Sequence, residues 1–289
     1  MVTPLPPVIQ PPLSSAPPRF SVVVPAFNEE AHLGATLASL AAQDVPVPVE
    51  VLVVDNGSSD TTAQIAAAYG VRLVSEPRRG VCRARQTGTE AASGELVVST
   101  DADTVHPPDW LSRIDARLRA RPDAVAVAGP CSYVDPPWWV PPLSGAAFAG
   151  LSRAYARFGW VGYVTATNLA FRRTGFPGYD LNLTQGGDEF DVLRRLRSRG
   201  PVLWDPENAV LTSSRRLDQG LVHTLVVSFG WHYFASMLLN RVLSRSVIGP
   251  APAIRPADVS RVRWRRQAGR AAVLLTATAV LLKRVRASR

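Results

Sequence analysis

Cysteine is nearly absent: Cys82 and Cys131 are the only two in 289 residues. Two thiols cannot build a disulfide framework or a cysteine-based zinc site. Both are expected as reduced thiols in a cytosolic setting. Lysine is scarcer still, because Lys283 is the one example among 32 basic residues and the rest are arginine. The N-terminus lacks a basic stretch followed by an apolar core, so no secretory signal is expected. Acids are almost missing from one end. Residues 241–289 carry twelve basic residues and a single acid, Asp258, for a net charge of +11. The whole chain has a net charge of +9, so residues 1–240 carry −2. A protein that is basic throughout is thereby excluded, and so is a basic catalytic cleft inferred from total charge alone.

What is present is an ordinary globular composition, 46% hydrophobic and 19% charged, which excludes wholesale disorder. The length suits one large domain or two small ones. The first eighteen residues hold seven prolines. Such a stretch packs neither as a helix nor as a central strand, and residues 1–18 read as a mobile leader. Order begins at Phe20. Short β-branched runs then alternate with helical patterns. Phe20 to Pro25, Val49 to Val54, Val71 to Val74 and Glu95 to Thr100 read as strands. Leu33, Leu37 and Leu40 share one helix face. Further helices are predicted over Thr61–Tyr69, Cys82–Ala92 and Trp110–Ala120. This rhythm implies a parallel sheet covered on both faces, with ligands at the carboxyl ends of its strands. Asp55 and the pair Asp101 and Asp103 sit at such ends.

The second half is less regular. Val125–Gly129, Leu169–Arg173, Val202–Trp204 and Ala209–Thr212 read as strands. Residues 136–150 are rich in Pro, Trp and Gly and read as a loop or an acceptor wall. A helix is expected from Gly186-Gly187-Asp188-Glu189 to about Arg199, and the reading is helical from Leu221 onward.

Asp101-Ala102-Asp103 is an acid-x-acid sequence on a turn after an apolar strand. Two such carboxylates can face a divalent cation, and hard ions prefer oxygen ligands shared with substrate phosphates. In a polar loop the same sequence also serves as a solvated turn. Its context is the ordered series Pro25-Ala26-Phe27-Asn28-Glu29-Glu30, Val54-Asp55-Asn56-Gly57-Ser58-Ser59-Asp60, Gly80 to Gly88, and Asp101-Ala102-Asp103. Thr167 to Arg173 and Gly187-Asp188-Glu189-Phe190-Asp191 follow it. Together these resemble the family 2 glycosyltransferases over about residues 20–215. The resemblance implies a GT-A fold, an α/β Rossmann-like, mostly parallel sheet with flanking helices, here with a C-terminal helical extension. The expected domains are the leader (1–18), the transferase domain (19–218) and a helical, basic, possible membrane-associated region (219–289).

The resemblance also implies roles. Pro25, Ala26 and Glu29 match the loop that cups base and ribose, and Asp55 matches the acid that hydrogen-bonds the base. Arg85 matches a basic position near the nucleotide. Asp101 matches a ribose or sugar contact, and Asp103 matches the ligand of Mg²⁺ or Mn²⁺ at the diphosphate. Asp188 and Glu189 match the acidic pair that supplies the catalytic base. The order here is Asp-Glu where many members read Glu-Asp, which leaves the base open between them, with Asp191 in support. The implied reaction is inverting transfer of one sugar from a UDP- or GDP-sugar to a glycan or lipid-linked acceptor. The Gln-x-x-Arg-Trp motif of processive synthases does not occur. His223 and His232 are available to a metal, but neither has a local frame for it and each reads as a packed or interfacial helix residue. Ser213-Ser214-Arg215-Arg216 lies where a diphosphate contact would fall.

Gln219–Asn240 has no Asp, Glu, Lys or Arg over 22 residues, but its histidines, hydroxyls and Gly230 favour an interfacial or packed helix over a span. Ala271–Leu282 is only twelve apolar residues between cationic clusters. That pattern suits peripheral contact with anionic lipid, and a cytoplasmic place at the inner face of the cell membrane. The rival reading is a nucleic-acid or anionic-surface binding protein acting through its Arg-rich tail, with an inactive transferase-like domain. No stacking aromatics or recognition fold support it, so no nucleic-acid partner is expected.

Overall fold

The computed structural model describes residues 17–183, 188–235 and 239. The leader, save its last two residues, lies outside them, as do Gly186, Gly187 and the basic tail from residue 241. Four parallel strands form the first half: β1 (Phe20–Ala26), β2 (Val49–Asp55), β3 (Arg72–Ser75) and β4 (Leu96–Ser99). Helices α1 (Leu33–Ala41), α2 (Thr62–Ala68) and α3 (Val81–Ala91) connect them. The chain continues through β5 (Thr104–Val105), α4 (Trp110–Ala120), β6 (Ala126–Ala128), β7 (Cys131–Val134) and α5 (Val140–Phe158). It then runs through β8 (Leu169–Arg172), α6 (Asp188–Arg197), β9 (Val202–Trp204) and β10 (Val210–Ser213). The last described element starts as a short helix, α7 (Leu221–His223), and widens into a π-helix over Thr224–Ala235.

Seven strands form one sheet in the order β3-β2-β1-β4-β8-β6-β9. Only β8 runs against its neighbours, antiparallel to both β4 and β6. A second sheet of three strands, β5-β10-β7, lies beyond it. Burial on both faces explains the unbroken apolar strands. In β1, Val22 and Val24 join Leu33, Leu37 and Leu111 on one side, while Val23 joins Leu52, Val54 and Phe171 on the other. Each fully buried side chain of this kind is worth roughly 1.5–3 kcal/mol against an exposed one.

The register aligns the strand ends. Ala26 lies beside Asp55, and Asp55 beside Ser75. The loops that follow β1, β2 and β3 therefore leave the sheet at one edge. One expectation fails clearly. The loop expected over residues 136–150 is mostly helix, because α5 begins at Val140 and runs for nineteen residues. Pro141 and Pro142 lie in its first turn, where backbone N–H groups have no intrahelical partner to lose. Of its residues only Val140 is buried.

Candidate active site

The loops at the aligned strand ends are stitched together by side chains. Asn28 takes φ of +51°, a left-handed conformation that asparagine tolerates better than most residues. Its N–H donates to Ser58 Oγ at 3.0 Å, and its Oδ1 accepts from Ser59 N–H at 2.8 Å. The Glu29 N–H donates to Thr62 Oγ1 at 2.8 Å, and the Glu30 N–H to Asp60 Oδ2 at 3.1 Å. Asp55 Oδ1 accepts from Ser58 N–H at 2.9 Å. Asp55 thus holds the turn after β2 and does not cap α2, which starts at Thr62.

Asn56 ties in the third loop. Its amide nitrogen donates to the carbonyls of Glu76 and Arg78 at 2.7 and 2.8 Å, and its Oδ1 accepts from Gly80 N–H at 2.8 Å. Arg79 lies over the Phe27 ring. Pro25 and Ala26 close β1 directly before this cradle.

Arg85 is buried on α3. Gly88, one turn later, explains its depth. A Cβ at Gly88 would stand 2.4 Å from Val23 Cγ1 and 2.8 Å from Val54 Cγ2, so only glycine lets α3 lie this close to the sheet. The Arg85 guanidinium forks between two carboxylates: Nη2 is 2.8 Å from Asp101 Oδ1, and Nη1 is 2.8 Å from Asp188 Oδ2. Those acids hold its pKa above the usual arginine range against the cost of burial. One buried cation thus joins the acid-x-acid turn to the first turn of α6. Leaving the buried Asp188 carboxylate unpaired would cost about 3–5 kcal/mol.

Asp103 faces the other way. Its Oδ2 is 2.8 Å from Arg215 Nη2, and Thr212 Oγ1 donates to its Oδ1 at 3.4 Å. Burial raises its pKa to about 6, with Asp101 and Glu29 adding to the rise while Arg215 and Arg216 oppose it. Arg215 also clasps Glu29 through both nitrogens, at 2.8 and 2.7 Å. The two acids of the turn are therefore neutralised by separate arginines.

Among the acids of α6, Asp188 is buried against Arg85 and Glu189 is half-buried. Burial raises the pKa values of Cys131 and Tyr133 on β7, with the neighbouring Cys131 thiol adding to the rise at Tyr133 and Glu189 a lesser cause at both. Next to Glu189 in the sequence, Phe190 meets the Tyr163 ring edge-on at 5.6 Å, and at the far end of α6 Arg197 lies 4.2 Å over the Trp160 ring. Asp191 does not join the cluster. It pairs with Arg194 at 2.8 Å and with Arg195, both on its own helix.

The site thus brings together Glu29, Arg85, Asp101, Asp103 and Asp188, with Glu189 adjacent. Sequence reasoning did not single out Asn56, whose loop-joining role has no local signature, or Asn168. Asn168 is buried and crosslinks Trp110, Pro130 and Asn208. Among the described residues no group of three or more His, Cys, Asp or Glu is arranged to hold a metal ion. His223 is buried near the start of the last helix, and the side chain of His232 is outside the described ones. The carboxylate of Asp103 is the kind of oxygen donor that a hard cation takes when substrate phosphate completes its shell.

Residues 21–178, 158 of the 289, match the family described as Glycosyl transferase family 2. The chain belongs to that family. Glycosyltransferase AglE of Haloferax volcanii is 34% identical over 108 residues, which is 35% of this chain and 36% of AglE. The chain thus covers about a third of that relative's length. Among solved structures, the mannosyltransferase PcManGT of Pyrobaculum calidifontis, in complex with GDP-Man and Mn²⁺, superposes with a TM-score of 0.57 at 23% identity. That likeness covers 94% of this chain and 81% of the other. Glucosyl-3-phosphoglycerate synthase of Mycobacterium tuberculosis, with Mn²⁺, UDP-glucose and phosphoglyceric acid, gives 0.56 at 22% identity, covering 89% and 99%. The family 2 chain has the GT-A fold that its motifs imply.

Proposed function

We propose that this family 2 protein transfers a single sugar from a nucleoside-diphosphate sugar to an acceptor hydroxyl, with inversion at the anomeric carbon. The observation that carries the reading is Arg85, which fixes donor-side Asp101 and acceptor-side Asp188 to one buried guanidinium. Pro25, Ala26, Glu29 and Asp55 form the cradle for base and ribose. Asp101 meets the ribose or sugar. Asp103, with Asp101, would hold Mg²⁺ or Mn²⁺, which when bound offsets the negative charge growing on the departing diphosphate. The Mn²⁺ in both solved relatives of this fold supports that choice of ion.

Of the two candidate bases, Glu189 is favoured. Asp188 is committed to Arg85, whereas Glu189 is half-buried beside the aromatic groups of α6 and its surroundings. The acceptor oxygen attacks C1 as the bond from C1 to the phosphate oxygen breaks. The acceptor proton passes to Glu189, and the nucleoside diphosphate leaves with the bonding pair. No covalent intermediate forms, so no nucleophilic side chain is required. The exposed rings of Trp160 and Phe190 suit a glycan face or the apolar part of a lipid-linked acceptor.

A panel of UDP- and GDP-sugars, scored by thermal shift with and without Mn²⁺, would identify the donor, since a ligand of the native state raises Tm. With that donor, Glu189→Gln is expected to bind as the wild type does while transfer falls by about 10²–10⁴-fold. Asp103→Ala is expected to lose the metal-dependent part of the shift. A Glu189→Gln protein with full transfer activity, or a product that retains the donor's anomeric configuration, would overturn the mechanism.

A further inference from the structure

Arg215 lies two residues beyond the end of β10 and reaches back across 186 residues of sequence to Glu29. Its Nη1 is 2.8 Å from Glu29 Oε2, and its Nη2 is 2.7 Å from Glu29 Oε1 and 2.8 Å from Asp103 Oδ2. Three carboxylate oxygens share this one guanidinium. The side chains involved are only 8%, 12% and 14% exposed for Glu29, Asp103 and Arg215. Without the guanidinium, two acids would face each other in a poorly hydrated corner, which is costly.

Arg215 holds Asp103 Oδ2, one of the two oxygens that a divalent cation on Asp103 would take. A divalent cation placed there would repel the guanidinium strongly. The displaced guanidinium has a ready alternative, because its planar fork matches phosphate oxygens and a diphosphate would lie beside the metal. We propose that Arg215 is an internal counter-ion, seated on Glu29 and Asp103 until a divalent cation displaces it onto the donor's diphosphate. This rests on the donor-site reading above. Its consequence is thermodynamic coupling. Metal alone must evict the arginine, whereas metal with nucleotide gives the arginine a new partner, so each strengthens the other's binding equally.

The test is Mn²⁺ binding to the full chain, read from the paramagnetic resonance signal of free Mn²⁺, with and without UDP or GDP. Arg215→Gln is expected to bind Mn²⁺ alone more tightly than the wild type, by about 5- to 100-fold. Its gain in Mn²⁺ affinity on adding nucleotide should shrink. Arg215→Lys keeps the charge and protects folding, but it loses the fork and should shift the same way by less. The proposal is overturned if both variants bind Mn²⁺ alone no more tightly than the wild type while Asp103→Asn has lost binding; the donor-site reading then stands. If Asp103→Asn binds Mn²⁺ as the wild type does, that reading fails, and the proposal fails with it.

Discussion

His106 shows at the residue scale how the acid-x-acid turn is supported. Its Nδ1 lies 3.0 Å from Ser39 Oγ and its Nε2 2.7 Å from Thr100 Oγ1, directly before Asp101. Its ring is 4.0 Å from that of Trp110. Burial lowers its pKa to about 3. An unfolded histidine titrates near 6.5, so between about 6.5 and 3 the unfolded chain binds the extra proton. The stability that comes from keeping His106 neutral is therefore complete above pH 6.5 and is lost as pH falls through that window. The slope reaches about 1.4 kcal/mol per pH unit. Urea unfolding of the wild type and His106→Gln between pH 7 and pH 4 isolates this share, and the two stability curves should converge as pH falls. Parallel curves would mean that His106 is not the buried neutral group described. Arg85 and Asp103 were legible as site residues because short motifs carry them. The pairings between them and their partners were not. The link from Arg85 to Asp188 spans 103 residues and that from Glu29 to Arg215 spans 186, and no local pattern encodes such pairs.

At the element scale, α3 acts as a platform for chemistry. Gly88 lets it settle on Val23 and Val54, and Arg85 reaches its two acids from that height. Gly88→Ala is expected to destabilise the protein by about 1–3 kcal/mol through overpacking. It should also weaken donor binding, because a lifted helix withdraws the guanidinium from Asp101. Denaturant melts and donor titration check both effects, and an unchanged midpoint would refute the tight-contact account. Strands and helices of the first half were readable because β-branched runs and helical spacing both arise within a few residues. Trp110–Ala120 and Val202–Trp204 have the bounds that their patterns predict. The helix α5 was hidden by Pro141 and Pro142, which signal a break inside a helix but not in its first turn. The two-residue strand β5 and the four-residue strand β7 exist through pairing with β10, which sequence spacing does not reveal.

For the whole molecule, charge divides a nearly neutral body from a tail with a net charge of +11. No described helix is long and apolar enough to cross a membrane. Contact with anionic lipid through the tail predicts salt-sensitive binding to phosphatidylglycerol vesicles, with each arginine near the surface worth roughly 1 kcal/mol. Changing Arg261, Arg263, Arg265 and Arg266 together to Gln should weaken vesicle binding at least about tenfold and leave soluble donor binding intact. Equal sedimentation of the two proteins with such vesicles would remove the idea. The sequence alone determined the alternating α/β plan, the acids at strand ends and the confinement of excess charge to one end, because each is written in neighbouring residues. The tertiary structure decided which acids share a cation. Folding brought Arg85 and Arg215 to carboxylates far away in the chain, and a buried charge takes whichever partner packing places within reach.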